Sequence, residues 1–323
     1  MATASVVSTP LALNAAKQAP RYEDSPSQSP VTLMGPDSNA AATGLGIRAP
    51  FPAIRNLFDH LYKQQADAAA LNATYPRRGI FKTAAITKTE SDQKFTLDFS
   101  PARNARISDS LRKGLPGIDE ILGFFNGVVE RTVPSILESL GALAGTDFSN
   151  THKMLNMNFR LCDYNPVTAA PESENGCGAH TDYGTFMIIF QDGTTGLELE
   201  DSAAPGGWRP VPGDATVILT GLCAVILSGG RISAARHRVR RSPGVRRLSA
   251  VLFLAPDLDV KLQPLNGIEP VKPMSDAVMR GEMDVENFKE VMGKRWRYRE
   301  GNEDMEGGEM ASQDSEIEKL VWL

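Results

Sequence analysis

The chain has little of several things that would mark other classes of protein. Its 323 residues include only three cysteines, Cys162, Cys177 and Cys223. Thiols this few, with no zinc-type spacing, build neither a disulfide framework nor a metal knuckle, so the chain reads as intracellular and reduced, with the cytoplasm as its expected location. No run approaches the ~18 continuous apolar residues of a membrane-spanning helix. The N-terminal MATASVVSTPLALNAAKQAP has an apolar patch but no basic stretch before it, so no membrane partner is expected. Excess positive charge is missing too: the formal net charge of −5 argues against broad nucleic-acid binding. Arginines do crowd one stretch (Arg231, Arg236, Arg238, Arg240, Arg241, Arg246, Arg247), which reads as a solvated strand face with one functional member. Strand alternation turns Arg246 away from Arg247. Histidine is scarce, four in the whole chain, so the place of each is informative.

What is present suits one large domain. At 41% hydrophobic and 23% charged residues, the chain can bury a sizeable core. Residues 1–45, rich in Ala, Ser, Thr and Pro, read as an extended or partly disordered arm. Residues 46–152 read as a supporting helical and strand region. There Ile54, Leu57, Phe58 and Leu61 recur at helical spacing, and GIDEILGFFNGVVERTVPSILESLGALAG gives a second helical stretch with a break near Pro134. From 153 to 262 the pattern changes to short β-rich runs punctuated by QDGTTG, PGG, PGD and SGG, the signature of an antiparallel double-sheet jelly roll. Residues 263–323 read as a C-terminal helical region with an acidic tail and a final amphipathic IEKLVWL that docks back on the body. The expected fold is therefore mainly β with flanking α: a double-stranded β-helix (jelly-roll) core braced by helices at both ends, as a monomer or weak homo-oligomer.

The chemistry concentrates in AHTDYGTFMIIFQDGTTGLELED. Side chains two apart in extended backbone point to the same side, so His180 and Asp182 can reach one point in space. Downstream, SAARHRVRR supplies His237. Two imidazoles and one carboxylate on one face of a metal leave the opposite positions open, the arrangement of non-heme Fe(II) oxygenases. Zinc prefers a closed or four-coordinate site. His60, just off the apolar stripe of the first helix, and His152, in a turn before a strand, read as structural or exposed. Arg247 and Ser249 share one face of the β-prone run RLSAVLFL, and a guanidinium fork with a hydroxyl is a carboxylate receptor. Tyr164, ending MLNMNFRLCDY, adds a phenol that can hydrogen-bond the same anion. Counting by twos puts Asn158, Arg160 and Cys162 on the pocket side with Tyr164, and Val251 and Phe253 there with Ser249. Arg160 suits either an anionic or phenolic substrate or a salt bridge at the rim.

The ordered set Tyr164, His180-x-Asp182, His237, Arg247-x-Ser249 resembles the iron- and 2-oxoglutarate-dependent oxygenase superfamily, in its isopenicillin N synthase-like branch, over about Asn156 to Pro256. The resemblance implies that His180, Asp182 and His237 bind Fe(II). It also implies that Arg247 and Ser249, with Tyr164, hold the distal carboxylate of the co-substrate 2-oxoglutarate, and that dioxygen is the second co-substrate. No catalytic residue beyond the metal centre is implied. The activity would be oxidation of a small molecule by hydroxylation, desaturation or a rearrangement such as ring expansion. QDGTTGLELED resembles fungal members that tailor secondary metabolites. Two other readings stand beside it. One is a 2-oxoglutarate-independent Fe(II) oxidase of the isopenicillin N synthase type, with Arg247 and Ser249 on a substrate carboxylate. The other is a non-catalytic small-molecule-binding barrel.

Overall fold

In the computed structural model, which describes residues 31–33, 41–42, 47–74, 81–82, 92–170, 173–201, 204–299, 317 and 319–323, the period-two runs become strands. In chain order they are β1 (Val31–Leu33), β2 (Ala41–Ala42), β3 (Phe81–Lys82), β4 (Phe95–Phe99), β5 (Asn156–Tyr164), β6 (Asn175–His180), β7 (Phe186–Gln191), β8 (Leu197–Glu200), β9 (Trp208–Pro210), β10 (Thr216–Thr220), β11 (His237–Arg240) and β12 (Arg247–Ala255). They make an eight-stranded sheet, β2-β1-β10-β7-β12-β5-β4-β3, and a four-stranded sheet, β6-β11-β8-β9. From β5 to β12 the chain switches between the two sheets at every step but one, the β8–β9 pair within the small sheet, which is how a jelly roll closes on itself. β1 pairs with β10 in parallel, whereas the core pairs are antiparallel. Most of the expected arm at 1–45, and the acidic stretch 300–316, lie outside the described residues.

Alternation along the strands sorts the side chains into two cores. Met187, Ile189, Val217, Leu219 and Val251 of the large sheet meet Leu197, Leu199 and Val239 of the small one inside the barrel. The intervening residues, among them Phe159, Leu161, Ile188, Leu248, Leu252 and Leu254, face the helices. Those helices are α1 (Phe51–Lys63), α2 (Gln65–Ala73), α3 (Pro101–Asn104), α4 (Asp109–Gly114), α5 (Ile118–Arg131), α6 (Val133–Ala144), α7 (Leu222–Leu227), α8 (Asp276–Met279) and α9 (Val285–Arg299). The stripe Ile54, Leu57, Phe58 and Leu61 of α1 is fully buried. Phe125 of α5 stacks on Phe159 of β5 with centroids 4.5 Å apart. Each such buried side chain contributes about 1.5–3 kcal/mol. The helical break falls at Thr132, and Pro134 stands in the first turn of α6, where its missing N–H leaves no bond unmade.

β12 lies between β5 and β7, and its register sets the inner face in rows. Arg247 is opposite Tyr164, Ser249 is between Cys162 and Gln191, Val251 between Arg160 and Ile189, and Phe253 between Asn158 and Met187. On the outer face of β11 the arginines are paired: Arg236 with Glu200, Arg238 with Glu198, and Arg240 with Glu174. Arg238 also stacks on Trp208, 4.1 Å from the ring centre. Arg246 leaves the barrel altogether, forking onto Asp163 of β5 and Asp59 of α1 at 2.7 Å each. The C-terminal residues dock as expected: Ser275 donates its backbone N–H to Val321 at 2.9 Å, and Trp322 lies under the Lys272 ammonium. No described helix is long and apolar enough to cross a membrane.

Candidate metal centre

β6 and β11 are hydrogen-bonded neighbours with His180 directly opposite His237, and Asp182 follows just past the end of β6. The ligand atoms of the three residues lie within 4.8 Å of one another, the one such group among the described residues. His180 Nε2 is 3.4 Å from Asp182 Oδ1, and His237 Nε2 is 4.0 Å from Asp182 Oδ2. Each imidazole turns its Nδ1 to a carbonyl two residues earlier, His180 to Gly178 at 2.8 Å and His237 to Ala235 at 3.3 Å. An Nδ1–H donating there leaves the Nε2 lone pairs directed at the carboxylate, the tautomer a metal requires. Two nitrogens and one oxygen from adjacent positions form a facial set, which suits Fe(II) with room for further ligands.

The loop that carries Asp182 is clamped from behind. Gly221 donates to the Thr185 carbonyl at 3.0 Å, Leu222 to Asp182 at 2.9 Å and Cys223 to Tyr183 at 2.9 Å. LCAVIL, within the stretch expected to be β-rich, is instead the short buried helix α7, because the opening N–H groups of a helix have no partner inside it and these find the loop carbonyls. Only glycine fits at 221. A Cβ there would sit 2.5 Å from the Gly184 oxygen and 2.7 Å from the Asp182 oxygen.

Arg247, 3% exposed, opens β12 inside the same barrel. Its Nη2 donates to Gln191 Oε1 at 2.9 Å. The Gln191 amide cannot flip, because its Nε2 donates to the Pro212 and Ala215 carbonyls at 3.0 Å each. The guanidinium lies over the Tyr164 ring, 5.1 Å from its centre. Arg247 Nε and Nη1 are buried with no hydrogen-bond partner. Donors left over on a buried guanidinium call for an anion such as a carboxylate, and burying them unmatched is unfavourable. Ser249 lies one row on, facing Cys162 with its hydroxyl on the thiol, which burial pushes above its usual pKa. Burial also pushes Tyr164 up, keeping the phenol protonated and a donor.

The pocket candidates fall on the inner face but differ in surroundings. Cys162 and Val251 are buried in the barrel core, and Phe253 packs against that core half-buried. Arg160 is half-buried and committed to Asp98 of β4 through Nε at 2.7 Å and Nη2 at 2.8 Å. Asn158 donates to the same carboxylate at 3.0 Å and accepts from Arg103 at 3.1 Å. Of Arg160's two sequence readings, the salt bridge is the one the geometry displays. His60 bonds Asp67 at 2.7 Å. His152 is buried between the Phe148 carbonyl at 2.8 Å and the Thr185 hydroxyl at 2.7 Å, where burial lowers its pKa. Sequence reasoning missed Gln191 and Gly221. Period two along Met187, Ile189 and Gln191 was the available signal for the first. For the second there was none, since nothing local shows what a Cβ would strike.

Residues 151–256 match the profile of the 2OG-Fe(II) oxygenase superfamily. Scopoletin 8-hydroxylase of Arabidopsis thaliana is 33% identical over 151 residues, 45% of this chain and 40% of that protein. The 2-oxoglutarate-dependent dioxygenase tropC of Talaromyces stipitatus is 35% identical over 145 residues, 42% of this chain and 44% of that protein. The chain thus spans less than half the length of these relatives. Among solved structures, the dioxygenase for auxin oxidation from rice superposes with a TM-score of 0.54 at 21% identity, covering 76% of this chain and 79% of that one, a likeness of fold.

Proposed function

We propose that this chain, whose residues 151–256 belong to the 2OG-Fe(II) oxygenase superfamily, is a non-heme Fe(II)- and 2-oxoglutarate-dependent oxygenase acting on a small molecule. The observation that carries the reading is Arg247, a buried guanidinium with two unmatched donors in the barrel that also gathers two imidazoles and a carboxylate. His180, Asp182 and His237 would hold Fe(II). Arg247 would hold the far carboxylate of 2-oxoglutarate, with Ser249 and Tyr164 beside it. Bound together, the two supply oxidative decarboxylation, in which dioxygen and 2-oxoglutarate yield succinate, carbon dioxide and an oxidising equivalent for the substrate. The chain contributes the positioning. Gln191 orients the Arg247 guanidinium, the buried apolar side chains Met187, Ile189 and Val251 lower the polarity inside the barrel, and low polarity strengthens the ion pair.

Substrate would approach on the side of Asn158, Arg160 and Phe253, where the inner face is half-buried rather than closed. The relatives support a C–H oxidation in secondary metabolism, with hydroxylation the simplest outcome and desaturation or ring expansion alternatives of the same site. The three cysteines, free and buried, suit a reducing cytoplasmic setting, and we take the protein as a monomer or weak homo-oligomer. The test is stoichiometry. With a panel of phenolic and polyketide compounds, succinate should form in step with oxidised product. Oxygen uptake and product formation that need no 2-oxoglutarate would instead favour the 2-oxoglutarate-independent oxidase.

A further inference from the structure

Asp92 and Lys94, 2% and 8% exposed, lie just ahead of β4 and belong to neither the metal triad nor the Arg247 fork. Lys94 Nζ donates to Asp92 Oδ2 at 3.0 Å and to Cys177 Sγ at 2.9 Å. Between them, Gln93 donates its backbone N–H to Asn175 of β6 at 3.1 Å. The segment therefore stitches the edge strand of the small sheet to the large one. The second carboxylate oxygen, Asp92 Oδ1, accepts from the Gly178 N–H at 2.8 Å. Gly178 is also the residue whose carbonyl faces His180 Nδ1 at 2.8 Å. A chain of close contacts thus runs from a buried ion pair, through one glycine, to an imidazole of the metal centre.

Two features of β6 give that chain a purpose. Its sequence, NGCGAH, puts Gly176 and Gly178 in an edge strand, and glycine's conformational freedom weakens a strand's hold on its own direction. Its pairing with β11 is also irregular: His237 faces His180 while Val239 faces Cys177, so three residues of β6 span two of β11. That bulge brings Cys177 inward beside Lys94 and sets Gly178 where regular ladder bonding does not fix it. We infer that Asp92, neutralised and held by Lys94, is a positioning residue for the metal centre. It pins Gly178, so that the Gly178 carbonyl sets the rotation of the His180 ring and the direction of its Nε2. The inference rests on the reading of His180, Asp182 and His237 as metal ligands.

The test compares two double variants that both remove the ion pair and differ only in an acceptor for the Gly178 N–H. Asp92→Asn with Lys94→Met keeps an amide oxygen there; Asp92→Leu with Lys94→Met does not. Co(II) titration of the full-length protein, read by visible d–d absorption and normalised to folded protein by circular dichroism, should give an asparagine variant within about threefold of wild type. The leucine variant should be weaker by about tenfold or more, the scale of lost support behind a metal-bound histidine. Equal Co(II) affinity in two folded variants overturns the inference. Should the leucine variant not fold, the wild type decides: Zn(II) loading should slow hydrogen exchange of the Gly178 amide by about tenfold or more, and an unchanged rate overturns the inference. A wild type that takes up neither metal overturns the ligand reading itself, a different failure with its own signature.

Discussion

His180 and His237 stand directly opposite each other on neighbouring antiparallel strands, with ring centroids 4.2 Å apart. The small sheet's register, rather than any local motif, brings the second imidazole to the first. Asp182 is held by a separate device, the backbone N–H groups at the start of α7. The two halves of the metal centre can therefore be broken independently.

Gly221→Ala should damage the Asp182 half alone. Its Cβ would press on the Asp182 and Gly184 carbonyl oxygens, displacing the loop while leaving the His180–His237 register intact. Metal affinity should fall by about tenfold or more, with circular dichroism unchanged. Wild-type Co(II) affinity in this variant would show that the loop's placement does not govern the carboxylate.

Neighbouring arginines should have opposite consequences. Arg246→Ala strips the buried Asp163 of its fork and should destabilise folding by about 3–5 kcal/mol, read as a drop in Tm. Its effect on 2-oxoglutarate affinity should be small. Arg247→Ala should leave Tm near wild type, because it removes a buried cation already short of partners, and should weaken 2-oxoglutarate binding by about 2–5 kcal/mol. The account fails if the two variants lose the same property.

Gln191→Leu removes the acceptor that orients Arg247 but leaves the charge in place. The expected loss is about 1–3 kcal/mol in 2-oxoglutarate affinity with no change in metal uptake. Calorimetric titration of metal-loaded protein checks it, and unaltered affinity would remove Gln191 from the site.

His152 gives a pH signature. Burial holds its folded pKa below the ordinary value of 6.5, so the folded state takes a proton less readily than the unfolded chain. Its stabilising contribution is complete above about pH 6.5 and is lost as the pH falls from there through the folded pKa. Wild-type Tm should decline on acidification across that range more steeply than that of His152→Gln. Parallel declines would assign the acid sensitivity elsewhere.

Much of this was legible in the sequence. Period-two counting placed Asn158, Arg160, Cys162 and Tyr164 of one strand, and Val251 and Phe253 of another, on the same pocket-side face, because regular strands obey the pleat. Gly and Pro clusters marked the jelly roll's turns. Counting failed where regularity does. The bulge in β6 turns Cys177 inward beside Lys94, a placement alternation would deny. Asp92 and Lys94 carried no signal in the sequence, because a buried ion pair is made by two sheets meeting, which no local pattern encodes. The same limit applied to α7, whose apolar LCAVIL is helical because of carbonyls forty residues away in the metal loop, on the order of a whole supersecondary unit.

The central claim, that one barrel holds Fe(II) and 2-oxoglutarate together, is tested most directly by anaerobic titration of Fe(II)-loaded protein with 2-oxoglutarate, following the weak visible charge-transfer absorption of the chelate. The account predicts a saturable band in wild type, the same band at higher 2-oxoglutarate concentration in Arg247→Ala, and none in His237→Ala. A wild type fully loaded with Fe(II) that develops no band, or an Arg247→Ala variant that saturates as wild type does, would contradict it.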